Sequence, residues 1–293
     1  MAGDDFLLGL LGVPRPIANA LGDDGLGITG LDTAAGAAMV VGSTIGLLKE
    51  TSVKLTSVQQ QPVDAPPSGF ADRLSRVPDT DETGGAQVRI EKYSTPGEAD
   101  RFEVYVAGTV TFDPVSDSEP WDMTSNIANA AGFDAGSYKA VVEAMRAAGI
   151  DESSPVQITG YSQGGGTAAR VAAGGEFNVV GLTTFGGPTG QVPIPDDIPT
   201  VIVEHTDDIV PALGGTQSNR EALLVERDVF AGETVPSQYM VPAHHYEYYE
   251  QTARLMDQAT SEQVTGAIER LDSFTDGATT MTSETYRFER VSG

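Results

Sequence analysis

The chain has 293 residues, of which 40% are apolar and 20% charged, room for one large α/β domain or two small ones around a real core. Acidic residues outnumber basic ones by 42 to 17, a net charge of −25, which argues against nucleic acid or an anionic membrane surface as the main partner. Cysteine is absent, so disulfides, thiolate catalysis and cysteine metal sites are excluded, while the redox compartment stays open.

In chain order, residues 1–61 are rich in Gly, Ala and Leu and predict an N-terminal helical extension, with a helix from about Thr33 to Val58. The opening Met-Ala-Gly-Asp-Asp-Phe-Leu-Leu lacks the basic start of a signal peptide, and the uncharged run Thr33–Leu48 is too short and Gly-rich to span a bilayer. Residues 62–86, punctuated by Pro62, Pro66, Pro67 and Pro78, read as an ordered arm or linker. Residues 87–293 read as one domain. Gln87–Tyr93 alternates with period two and, after the turn Thr95-Pro96-Gly97, Arg101–Ala107 follows as the second arm of an antiparallel hairpin. Tyr138, Val141, Val142 and Met145 recur at helical spacing before Gly149, a C-cap signal. Strands are expected at Ser154–Thr159, Val179–Phe185 and Thr200–Glu204, a small-residue helix at Gly164–Ala173, and a helical stretch Tyr246–Phe274 broken near Thr260-Ser261. Ala222–Phe230 and Thr285–Val291 also look like strands but find no place in this scheme. Alternating strands and helices predict a mostly parallel central sheet with helices on both faces.

Residues 160–164 read Gly-Tyr-Ser-Gln-Gly and fit G-x-S-x-G, the turn on which serine hydrolases raise their nucleophile. The predicted strand before it and helix after it are the context that motif requires. A serine hydroxyl needs a base to take its proton and an acid to orient that base. The chain holds three histidines, His205, His244 and His245. In α/β hydrolases the acid and then the histidine follow the serine, each on a loop after a strand. Here His205-Thr206-Asp207-Asp208-Ile209-Val210-Pro211 and then Val241-Pro242-Ala243-His244-His245 follow in that order. The oxyanion hole would take one donor from the N–H of Gln163, the residue after the nucleophile.

These segments resemble the class 3 lipase family, which shares the elbow serine, an Asp-Ile-Val-Pro loop and a Pro-Ala-His loop. Gly186-Gly187-Pro188 resembles that family's Gly-x-Pro, and the Tyr and Gln of the elbow resemble cutinases. The likeness spans about residues 87–260 and is of an actinobacterial type. It implies an α/β-hydrolase fold, with Ser162 as nucleophile, Asp208 as acid and His244 as base. It also implies that Thr109, in Val106-Ala107-Gly108-Thr109, is the second oxyanion donor, with Ala107 standing where the family often has Arg. Phe112–Asn126 lies where these lipases carry a lid, but it is polar for one.

Several readings stay open at this stage. Asp207, His205 and His245 have local structural readings beside Asp208 and His244. Tyr161, Trp121 and Met123 are candidates to touch substrate, Trp121 equally a loop anchor. Asp113, Asp117, Glu119 and Asp122 are too irregularly spaced for a metal loop. The N-terminal region would cover the site, mediate dimerisation or complete the core. The expected activity is hydrolysis of small-molecule or lipid carboxylic esters through an acyl-enzyme, with no cofactor or metal and no nucleic acid. A thioester, cell-envelope acyl ester or polyester substrate is the first alternative, and a catalytically silent interaction protein the second. A membrane or lipid interface stays open as a partner without support in the residues. No export signal is legible, and a secreted or envelope location is favoured over the cytoplasm.

Overall fold

The computed structural model describes residues 50–79, 85–112, 118–232, 235–236 and 241–291. Eight strands form one sheet: β1 (Val53–Gln61), β2 (Val88–Ser94), β3 (Arg101–Val106), β4 (Val156–Tyr161), β5 (Val179–Phe185), β6 (Thr200–His205), β7 (Leu223–Arg227) and β8 (Thr280–Arg290). Their order across the sheet is β1-β8-β2-β3-β4-β5-β6-β7. Neighbours from β3 to β7 run parallel, whereas β1/β8, β8/β2 and β2/β3 pair antiparallel. The chain therefore adopts an α/β fold with a mostly parallel sheet. The expected hairpin is present, with Val88 opposite Val106 and Tyr93 opposite Arg101.

Helices α1 (Gly69–Ser75), α2 (Met123–Ala130), α3 (Gly136–Ala147), α4 (Gln163–Gly174), α5 (Ile209–Ala212), α6 (Tyr246–Asp257) and α7 (Glu262–Ser273) fill the connections. Alternation along β3 shows how they divide between two cores. Phe102, Val104 and Val106 enter the core shared with α3 and α4, whereas Tyr105 enters the one shared with α1, α6 and α7. Each face of the sheet is thus sealed by its own helical layer.

One expectation is corrected, and a second gains detail. The helix expected to reach Val58 lies up to residue 49 outside the described residues, and beyond it Val53–Gln61 is strand β1. Val53, Thr56 and Val58 are β-branched, and burial alternates from buried Val53 through exposed Lys54 to half-buried Leu55, which suits a sheet edge better than a helix face. The presumed arm carries α1, which buries Phe70, Arg73 and Leu74. Acidic side chains from two other helices accept its first amides: Asp257 takes Phe70 N–H at 2.6 Å and Asp272 takes Gly69 N–H at 3.0 Å. The two unplaced strand signals are also resolved. One is the edge strand β7, and the other is the end of β8, which runs between β1 and β2. Among the described residues no helix is long and apolar enough to cross a membrane.

Candidate active site

The parallel strands β3, β4 and β6 deliver their C-terminal ends to one rim of the sheet, where open α/β sheets place their ligands. At the end of β4 the backbone reverses into α4 through Ser162, whose φ of 54° and ψ of −124° are outside the ordinary regions for a residue with a side chain. The turn is tight enough to dictate its neighbours. A Cβ on Gly160 would lie 2.3 Å from the Gly164 carbonyl oxygen, and one on Gly164 would lie 2.2 Å from that of Val106. Ser162 N–H is fixed to the Phe185 carbonyl at 2.8 Å, and Ser162 is almost wholly buried.

After β6, Asp208 caps the short helix α5, its Oδ1 accepting Val210 N–H at 2.9 Å. His244 closes a 3-10 turn, Pro242–His244, immediately before α6. Its Nδ1 lies 2.6 Å from Asp208 Oδ2 and its Nε2 lies 2.7 Å from Ser162 Oγ. A carboxylate only accepts, so Nδ1 carries the ring proton and Nε2 is left to accept the serine hydroxyl's hydrogen. Three residues far apart in sequence thus make one continuous hydrogen-bonded chain.

The other candidates are distributed around it. Gln163 opens α4, so its N–H is one of those with no intrahelical acceptor, beside the serine. Its side chain donates to the Asp122 carbonyl at 3.1 Å and ties α4 to the loop before α2. Thr109 follows Gly108, where a Cβ would come within 3.3 Å of Ser162 Cβ, so the segment after β3 passes directly against Ser162. Thr109 Oγ1 accepts from Asn126 Nδ2 at 3.0 Å, and the same nitrogen lies 3.4 Å from Met123 Sδ. Tyr161 donates its hydroxyl to the His244 carbonyl and stacks on the His244 ring, centroids 5.5 Å apart. Its polar end therefore holds the turn that carries His244.

Trp121 is fully buried in the main core and donates its indole N–H to the Ala107 carbonyl at 3.0 Å. Of its two readings the structure supports the loop anchor, because no part of the ring is exposed to meet a substrate. Glu119 and Asp122 are engaged by arginines, at 3.1 Å from Arg287 and 2.9 Å from Arg290, while Asp113 and Asp117 lie outside the described residues. Among the described residues no group of three or more His, Cys, Asp or Glu is placed to hold a metal ion.

The remaining alternatives are resolved by contacts. Asp207 accepts Val229 and Phe230 N–H, each at 3.1 Å, and so shapes the loop after β7. His245 is exposed as the N-cap of α6. His205 is buried and bonded to Ala243 and Thr252 rather than to the serine. Sequence reasoning missed two residues. Asn126 carries no signal beyond its polarity. Tyr249 donates to Asp208 Oδ2 at 2.8 Å, and burial followed by the adjacent carboxylate holds its phenol well above the usual tyrosine range, so it stays a donor.

Compared with known proteins, the chain matches no protein-family model, no curated protein and no solved structure. The functional reading therefore rests on the residues and their geometry.

Proposed function

We propose that the protein is a serine hydrolase of the α/β-hydrolase type that cleaves carboxylic esters. The observation that carries this reading is the chain Ser162 Oγ–His244–Asp208, with hydrogen bonds of 2.7 and 2.6 Å, on a strained strand-to-helix turn. A serine in strained backbone, bonded to an imidazole that is itself bonded to a carboxylate, suits nucleophilic catalysis. A scaffold would gain nothing from that strain.

In the proposed reaction, Ser162 Oγ attacks the ester carbonyl while His244 Nε2 takes its proton. Asp208 keeps the Nδ1–H tautomer and stabilises the imidazolium that forms. The N–H groups of Gln163 and Thr109 receive the oxyanion of the tetrahedral intermediate. His244 returns the proton to the leaving alcohol, and a water, activated by the same imidazole, releases the acid from Ser162. The substrate is a small-molecule or lipid ester, and the chemistry draws on no cofactor.

Initial rates on p-nitrophenyl esters from acetyl to palmitoyl, for the wild type and Ser162→Ala, test the proposal. Loss of a triad member lowers turnover by about four to six orders of magnitude. Hydrolysis that survives in Ser162→Ala would end the reading. Fluorophosphonate labelling at Ser162 without turnover of any ester would retain the nucleophile and move the substrate to another acyl donor.

A further inference from the structure

We infer that His205 is a positioning residue that sets the place of the base, by holding the turn that carries His244 through the Ala243 carbonyl. The inference rests on the hydrolase reading of Ser162, His244 and Asp208. His205 ends β6, the strand that leads to Asp208, and its side chain is buried. Its Nδ1 lies 2.7 Å from the Ala243 oxygen. A carbonyl can only accept, so the ring proton is on Nδ1. On the other side Nε2 lies 2.8 Å from Thr252 Oγ1 of α6, a hydroxyl that also receives Arg227 Nη1 of β7 at 2.9 Å. Burial lowers the pKa of the ring, so the neutral form is favoured, and its Nε2 shares the Thr252 hydroxyl hydrogen with the Tyr248 carbonyl, 2.9 Å from that hydroxyl. One face of the ring stacks on Tyr249 at 3.8 Å and 16°.

Two successive carbonyls of the base turn are therefore held by side chains. Ala243 is held by His205 from the end of β6, and His244 by the Tyr161 hydroxyl from the end of β4. These are the strands that deliver the acid and the nucleophile. The base is thereby referenced to both of its partners through the rigid sheet, the kind of support that a catalytic geometry requires. An apolar side chain would fill the same space beside Tyr249 without burying two ring nitrogens, whose desolvation must be offset by hydrogen bonds. Packing alone does not account for an imidazole here.

The test separates the ring's donor from its bulk. His205→Phe keeps an aromatic ring against Tyr249 and loses the donor, whereas His205→Asn loses the ring and keeps an N–H near the position of Nδ1. A displaced catalytic group costs about 10- to 100-fold, so His205→Phe is expected to lower kcat by that factor with KM within about twofold, and His205→Asn to recover most of the loss. Wild-type kcat in His205→Phe, or equal losses in the two variants, would overturn the inference. A measurement on the wild type stands if the variants do not fold. With three histidines in the chain, 15N-histidine NMR reads each ring separately. A neutral His205 with its proton on Nδ1 near neutral pH is expected, and a proton on Nε2 alone would overturn the inference. Ser162→Ala run in the same ester assay keeps the two questions apart. Hydrolysis independent of Ser162 sinks the hydrolase reading, while the tautomer still decides whether His205 holds the turn.

Discussion

Tyr249 Oη donates to Asp208 Oδ2 at 2.8 Å, the same oxygen that receives His244 Nδ1–H at 2.6 Å. The phenol is fully buried, and room for it is made at Gly186, whose φ is +62° and where a Cβ would lie 2.7 Å from Tyr249 Cζ. With Val210 N–H on Oδ1, the carboxylate is oriented by three donors from three segments. A hydrogen bond to a charged group contributes about 1.5–3 kcal/mol, and here it disperses charge that would otherwise face the imidazole.

Tyr249→Phe removes that donor and little volume. Part of the hydrogen-bond energy is lost in the transition state, so kcat is expected to fall about tenfold with KM nearly unchanged. Steady-state kinetics read the split between kcat and KM. An unchanged kcat would reduce Tyr249 to a space-filling role.

The second prediction concerns Asn126, whose amide donates to Thr109 Oγ1 at 3.0 Å. That bond uses a lone pair of the hydroxyl and leaves its hydrogen for another acceptor, on a segment that passes against Ser162. Asn126→Leu and Thr109→Val should each lower kcat more than they raise KM. Because the pair acts as one unit, the double variant should fall short of the product of the single effects, with a coupling of about 0.5–3 kcal/mol. Fully additive effects in this double-mutant cycle would show that the two residues do not cooperate.

The parts of this molecule that were legible in the sequence are those written in short segments. Gly160 to Gly164 is readable because sterics at the turn permit only glycine at two places, and the order of Asp208 and His244 after the serine is a property of chain connectivity. Strand β1 was mistaken for helix because the Gly- and Ala-rich run before it suggested helical continuity, while its partner β8 lies at the other end of the chain. Pairing over that distance leaves no local pattern. Trp121 shows a different limit, since an aromatic residue near a site has the same sequence signature whether its ring faces substrate or core. Tyr249 and His205 required the angle at which α6 meets β6, and periodicity does not encode it.

The last prediction concerns two carboxyl groups inside the sheet. Glu91 and Glu103 are cross-strand partners on β2 and β3, both fully buried. Glu103 Oε1 accepts from Arg73 at 3.3 Å, while Arg73 also reaches Asp272 at 2.6 Å. Burial pushes the Glu103 carboxyl up to about 7, against the opposing pull of Arg73 and with help from the Glu91 charge. Its folded value thus lies above the ordinary 4.5, so between these two values the folded state holds a proton that the unfolded chain has released. Stability from this group is complete below the lower value and is lost as pH rises through the upper one. Other carboxylates in the chain can slope the opposite way, so the comparison must be made against a variant. Glu103→Gln stays neutral at every pH and leaves Arg73 with Asp272. Urea midpoints of the two proteins should draw apart as pH rises through this window, the wild type losing ground, and be parallel on either side. A constant difference from acid to alkaline pH would mean that Glu103 binds its proton equally in the folded and unfolded chain, Arg73 offsetting its burial.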